Sequence, residues 1–396
     1  MPDGLPETFP VDPVDFGKYQ LLGRVGSGGM ADVYLGRPRG QRRLVAIKCI
    51  KQGLGGQKSF VDMFIREGKL AIQLNHDAIV KTYEIGRIHG IYFICMEYIP
   101  GVDLSLLLRR CRGGSSRRLP VPHALHVALR ICEGLHYAHE LADAKGRSLN
   151  LVNRDVSPSN VRISFDGDVK LLDFGIAKAA SGLSSEIGVL KGKISHMSPE
   201  QVRGLPLDRR SDIFAAAIVL HEMLTAEKLF RADSEFQLMD MVRKAEVRPP
   251  SLVNPRVSPD VDALVLKGLH KAPEERYQTA DEMAGAIREM LGRFNFTRGE
   301  LRDLVRELCY EEWSKEQESV EPYLSVEADR QKHEKVNPSV DEDYGEFVEI
   351  SIDAATLEST MGGVEKPVPR TPKWVWGLLG LAVALLLFAV VLVILR

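Results

Sequence analysis

Four stretches of this 396-residue chain carry side chains that could do chemistry together. In "LVNRDVSPSNV", residues 151–161, Asp155 and Asn160 stand five apart between apolar runs. One offers a carboxylate that can take a proton, the other an amide oxygen that suits a hard cation. In "VKLLDFG", Asp173 heads a glycine turn after an apolar run, a second oxygen ligand for a divalent ion. "VAIK" ends an apolar strand on Lys48, and Glu67 follows on a helical stretch where the two can form an ion pair. "VGSGGMADV" supplies Gly26, Ser27, Gly28 and Gly29 between Val25 and Val33. Glycines there let backbone N–H groups approach a phosphate without a Cβ in the way. Gly26 and Gly28 fill two places of a three-glycine loop, and Ala31 takes the third. Strand-like residues follow where a dinucleotide fold needs a helix, which excludes that fold.

The elements that must position these groups fall into two kinds. "YQLLGRVGSGG", "ADVYLGRP", "RLVAIKCI" and "GIYFICMEYI" read as strands, and "FVDMFIREGKLAIQL" has helical spacing through Phe60, Phe64, Leu70 and Leu74. From about residue 101 helices dominate, as in "HALHVALRICEGLHYAHELA" and "SDIFAAAIVLHEMLT". The expected class is α+β, a small β-rich lobe before a larger helical lobe with a cleft between them.

Each motif is weak alone, but their order is specific. Over residues 17–291 the chain resembles the bacterial, eukaryotic-like serine/threonine protein kinases. The resemblance implies the bilobal kinase fold, with an N-lobe at 17–97 and a C-lobe at 101–291, and ATP with Mg²⁺ or Mn²⁺ as cofactors. It implies that the loop from Val25 to Val33 covers the phosphates and that Lys48, held by Glu67, meets them. Asp155 is then the base, and Asn160 and Asp173 hold metal. Ala46, the hinge backbone at Glu97 and Ile99, gatekeeper Met96 and Asp103 would surround adenine and ribose. Glu200 of "SPE" would pair with Arg276, and Asp212 would brace the catalytic loop.

Two positions in the catalytic stretch depart from the pattern. Asn153 replaces a histidine that packs beneath Phe174, a loss of packing rather than chemistry. Ser157 replaces a lysine that neutralises the transferred phosphoryl group, often a large catalytic effect. Lys193 stands where a threonine is usual and can offset that loss as a swapped catalytic cation. The complete set of Lys48, Glu67, Asp155, Asn160 and Asp173 favours an active enzyme over a nucleotide-binding pseudokinase scaffold. "MSPE" resembles the end of a protein-substrate platform, which disfavours a small-molecule kinase. Arg154 is placed to grip a phosphoserine at Ser181, Ser184 or Ser185.

Composition bounds the rest. Formal net charge is −2, so no nucleic-acid partner is expected. The five cysteines lack metal-ligand spacing and read as reduced thiols. Residues 1–16 read as a disordered lead-in, 296–313 as a short helical extension and 314–373 as an acidic disordered linker. "LRRCRGGSSRR" is basic and reads as a solvated loop inserted near the hinge. Residues 374–395 are uncharged and apolar, and the 21 from Val375 on would span about 31 Å as a helix, enough for a bilayer. Lys366, Arg370 and Lys373 precede them and keep the N-terminal side cytoplasmic. The expectation is a single-pass inner-membrane kinase acting on protein substrates, with self-association allowing phosphorylation in trans.

Overall fold

Alternating apolar residues build the first lobe. The computed structural model describes residues 13–113, 118–143, 145–174, 194–324 and 348–349. Strands β1 (Val14–Phe16), β2 (Tyr19–Ser27), β3 (Ala31–Pro38), β4 (Val45–Ile50), β5 (Thr82–Ile88) and β6 (Ile91–Glu97) form an antiparallel sheet, joined at its edge by β10 (Val348–Glu349). Their order is β1-β2-β3-β4-β6-β5-β10. One face buries Tyr19, Leu21, Tyr34, Ile47 and Phe93 together. The other buries Ile50, Ile85 and Ile94 against Val61 and Phe64 of helix α1 (Lys58–Ala71). Helix α1 lies close because Gly68 faces the sheet: a Cβ there would stand 2.6 Å from Ile85 and 3.1 Å from Ile94.

The second lobe is helical around a small sheet of β7 (Gly101–Asp103), β8 (Val161–Ser164) and β9 (Val169–Leu171). Its helices are α2 (Leu104–Gly113), α3 (Val121–His139), α4 (Pro199–Val202), α5 (Arg209–Thr225), α6 (Glu235–Lys244), α7 (Pro259–Gly268) and α8 (Ala280–Leu291). Helix α5 carries apolar residues on every side, and Ser211 through Thr225 are buried, as expected of a helix packed all round. It fixes Asp212 at its first turn beneath the catalytic loop.

Four boundaries differ from the sequence reading. Residues 14–16, read as part of the lead-in, form β1, because Phe16 is buried edge-on against Phe93 at 5.5 Å. The extension read at 296–313 is two helices, α9 (Arg298–Leu308) and α10 (Tyr310–Leu324), so residues 314–324 of the expected linker are helical. Their glutamates hid a buried apolar contact at Val320. Residues 348 and 349 of the same linker form β10. The first six residues of "LRRCRGGSSRR", read as a loop, lie in helix α2.

All five cysteines are buried and unpaired. Among the described residues no helix is long and apolar enough to cross a membrane. The 374–395 segment, Lys193 and Ser181, Ser184 and Ser185 lie outside the described residues.

Candidate active site

The site gathers where the two sheets meet. Strand β4 carries Lys48 beside Val33 of β3, in register. Its ammonium lies 2.7 Å from Glu67 of α1 and 3.1 Å from Asp173. Burial works to lower the Lys48 pKa, but the Asp173 and Glu67 carboxylates outweigh it and raise it. The ammonium therefore stays charged throughout the physiological range. Among the described residues it is the cation that reaches both lobes' carboxylates, the position a nucleotide's phosphates require.

The glycine loop is the β2–β3 turn. Gly26 pairs with Val33 and Ser27 with Asp32, and the Gly28 N–H donates to the Ala31 carbonyl at 2.9 Å. Val25 is exposed and Ala31 buried, so the departure at the third glycine position is absorbed into β3. Ala46 is buried and sits opposite Met96 of β6. In the hinge, the Glu97 N–H donates to Lys81 at 2.8 Å and the Ile99 carbonyl accepts from Arg162 at 3.2 Å. The Glu97 side chain pairs with Lys170 at 2.7 Å. Asp103 has a structural duty besides: its Oδ1 accepts the Leu106 N–H at 2.8 Å and the Ser105 hydroxyl, capping α2.

The catalytic loop is held from below. Asp212, fully buried, accepts the N–H groups of Asn153 at 2.7 Å and Arg154 at 2.8 Å, and contacts His139 at 2.8 Å. These bonds hold Arg154 at φ 66°, a conformation few non-glycine residues adopt. Asn160 donates through Nδ2 to both the carbonyl and the Oδ2 of Asp155, at 2.9 and 2.8 Å. That orients Asp155 and turns the Asn160 amide oxygen away from it. With the partly exposed Asp173 carboxylate, the donor set is hard oxygen, which fits a magnesium ion that keeps phosphate and water ligands. Asn160 and Asp173 would hold it, and it would neutralise phosphate charge.

Asn153 fills the histidine position with two hydrogen bonds. Its Oδ1 accepts the Asp155 N–H at 3.0 Å and its Nδ2 donates to the Asp173 carbonyl at 3.3 Å. Ser157 faces Ser159, their hydroxyls 3.0 Å apart.

Besides the Asp103 cap, three features escaped the sequence reading. Ser198, replacing alanine before "PE", is a helix cap: its hydroxyl accepts the Gln201 N–H while its own N–H donates to the Gln201 side chain. Gln201 then donates to the Arg154 carbonyl at 3.1 Å, joining helix α4 to the catalytic loop. The motif S-x-x-Q was the signal. Thirdly, Arg66 of α1 lies near Arg154. Burial and then the Arg154 charge lower its pKa, and its buried Nε has no hydrogen-bond partner. Its place beside Glu67 was the available hint. Glu200 and Arg276 form a two-pronged buried pair at 2.8 and 2.9 Å.

Comparison with known proteins follows this geometry. The family model of the protein kinase domain matches residues 19–286. The chain is 40% identical over 280 residues to the tyrosine-protein kinase MasK of Myxococcus xanthus, covering 70% of this chain and 43% of that one. It is 35% identical over 273 residues to the serine/threonine-protein kinase PknB of Mycolicibacterium smegmatis, covering 67% and 42%. The chain thus spans less than half the length of these relatives. A solved structure of the PknI kinase domain of Mycobacterium tuberculosis superposes with a TM-score of 0.54 at 25% identity, covering 71% of this chain and 98% of that one.

Proposed function

Since the chain belongs to the protein kinase family, whose members use ATP with a divalent ion, we propose that it is a membrane-anchored kinase that phosphorylates serine or threonine of proteins and of its own copies. One observation carries the reading: Lys48 bridges Glu67 and Asp173 in the cleft where Asn160 orients Asp155. A pseudokinase scaffold fits less well, because every one of these groups is present and engaged.

In the reaction, the Asp155 carboxylate aligns the acceptor hydroxyl and takes its proton. The hydroxyl oxygen bonds to the γ-phosphorus as the bond from that phosphorus to the β-γ bridging oxygen breaks, leaving ADP. Lys48 holds the α- and β-phosphates, and the β2–β3 turn excludes water above them. Lys193 supplies the cation that Ser157 does not. Lys193→Ala is expected to lose far more activity than a surface Lys→Ala; equal losses would remove this role.

Regulation follows from Arg66 and Arg154. Two guanidinium groups from two lobes repel unless an anion lies between them. A phosphoserine at Ser181, Ser184 or Ser185 supplies that anion and draws α1 toward the catalytic loop. The apolar 374–395 segment anchors the kinase to the inner membrane, with the domain in the cytoplasm.

The missing lysine supports a second reading, in which tyrosine is the acceptor. A phenol, with a pKa near 10, needs less electrostatic help than an alcohol. The 40%-identical relative is named a tyrosine kinase. The deciding experiment is phosphoryl transfer from ATP and Mg²⁺ by the full chain beside Asp155→Asn, followed by phosphoamino-acid analysis. Phosphoserine or phosphothreonine that vanishes in the variant supports the proposal. Phosphotyrosine establishes the second reading, and nucleotide binding without transfer establishes the scaffold.

A further inference from the structure

The helices after the kinase domain touch both lobes and the hinge between them. Helix α9 buries Leu301 and Val305, with Cys309 buried just after it, and grips the β8–β9 turn of the helical lobe. Arg306 donates to the Phe165 carbonyl at 2.6 Å and pairs with Asp166 at 2.7 Å, and Arg298 pairs with Asp168 at 2.5 Å. Gly167 sits so close that a Cβ would stand 2.7 Å from the Arg298 carbonyl. At the start of α10, Glu311 and Glu312 hold Arg110 of α2 at 2.9 and 2.6 Å.

One turn on, α10 meets the hinge. The Tyr98 hydroxyl donates to Glu316 at 2.5 Å. Near its end the helix reaches the β lobe. Val320 packs with Leu22 of β2 and Leu35 of β3, both fully buried, among Leu44, Tyr98 and Tyr323. Arg37 of β3 donates to the Tyr323 carbonyl at 3.2 Å. A helix does not stretch, so rotation of one lobe against the other must break one set of these contacts. The lobe arrangement they accompany is the one with Lys48 and Glu67 paired.

We infer that α10 is a strap across the hinge that fixes the lobe angle at which nucleotide binds, and that Glu316 and Val320 are positioning residues for that nucleotide. The inference rests on the nucleotide site proposed above.

The test uses the full chain with Val320→Asp, the milder pair Tyr98→Phe and Glu316→Gln, and Gln317→Ala on the exposed face as control. Binding is read with a fluorescent ATP analogue, kinetics as KM against kcat, and local opening by hydrogen exchange. Both strap variants are expected to weaken nucleotide binding about fivefold and raise the KM for ATP with kcat changed less than about twofold. Exchange in β2 and β3 should rise while α5 stays protected, and the control should match wild type. Unchanged binding and exchange in both variants overturn the inference, as does faster exchange with unaltered nucleotide affinity. A wild-type chain that binds no nucleotide overturns the site itself, a result distinct from wild type and variants binding alike.

Discussion

The amide of Asn153 faces two backbone groups at once, the Asp155 N–H and the Asp173 carbonyl, and is almost wholly buried. Removing it leaves both groups without this partner, at about 1–3 kcal/mol for such a buried loss. Asn153→Ala is therefore expected to lower kcat roughly tenfold, read in single-turnover assays. Asn153→His, which restores a hydrogen-bonding ring, should fall less; an alanine variant as fast as wild type would refute the role. That Lys48, Asp155, Asn160 and Asp173 come together could be read from the sequence because each sits in a short motif and the motifs keep one order. Arg66 could not, since its meaning lies in a neighbour 88 positions away in the other lobe. The capping of α2 by Asp103 stayed hidden because a cap depends on backbone angles, not residue type alone.

Helix α1 carries Glu67 to Lys48 only because Gly68 lets it lie against the sheet. Gly68→Val would push it off Ile85 and Ile94 and draw Glu67 from the ammonium. The expected outcome is a combined fall in kcat/KM for ATP of about tenfold or more, with Gly68→Ala between valine and wild type. Full activity in the valine variant would show that α1 has other room to move. At α4, Ser198→Ala removes the cap and is expected to cost about 1 kcal/mol of stability, measured by denaturant unfolding. Strands and long helices were legible through their periodicity, as in "FVDMFIREGKLAIQL". Helix α10 was not, because its glutamates gave it the composition of a solvated tether while Val320 and Tyr323 made its apolar contact with the β lobe.

Across the molecule, the helical lobe is held by a buried pair between segments far apart in the chain. Arg276 is fully buried, binds Glu200 through two nitrogens, stacks over Phe214 of α5 and donates to the carbonyls of His270, Arg210 and Lys271. Arg276→Leu leaves Glu200 buried beside an apolar chain and is expected to cost about 3–5 kcal/mol. Burial tends to raise the Glu200 pKa, but hydrogen bonds from Arg276 and Ser211 lower it overall. A carboxyl depressed on folding contributes stability above its unfolded pKa of about 4.3 and loses it as pH falls through the lower folded value. Thermal melts of the wild type should thus be steeper with acid than those of Glu200→Gln, and parallel curves would show that the pair carries no such linkage.

The strap also has a consequence in time. The last of the proposed catalytic side chains, Lys193, leaves the ribosome roughly 130 residues before the end of α10. At about 5–20 residues per second, that is a delay of roughly 7–26 s. A growing chain thus holds all its proposed catalytic groups well before the part proposed to pin its hinge exists, so copies that end after α8 and before α10 are expected to keep the chemistry with a weaker grip on nucleotide.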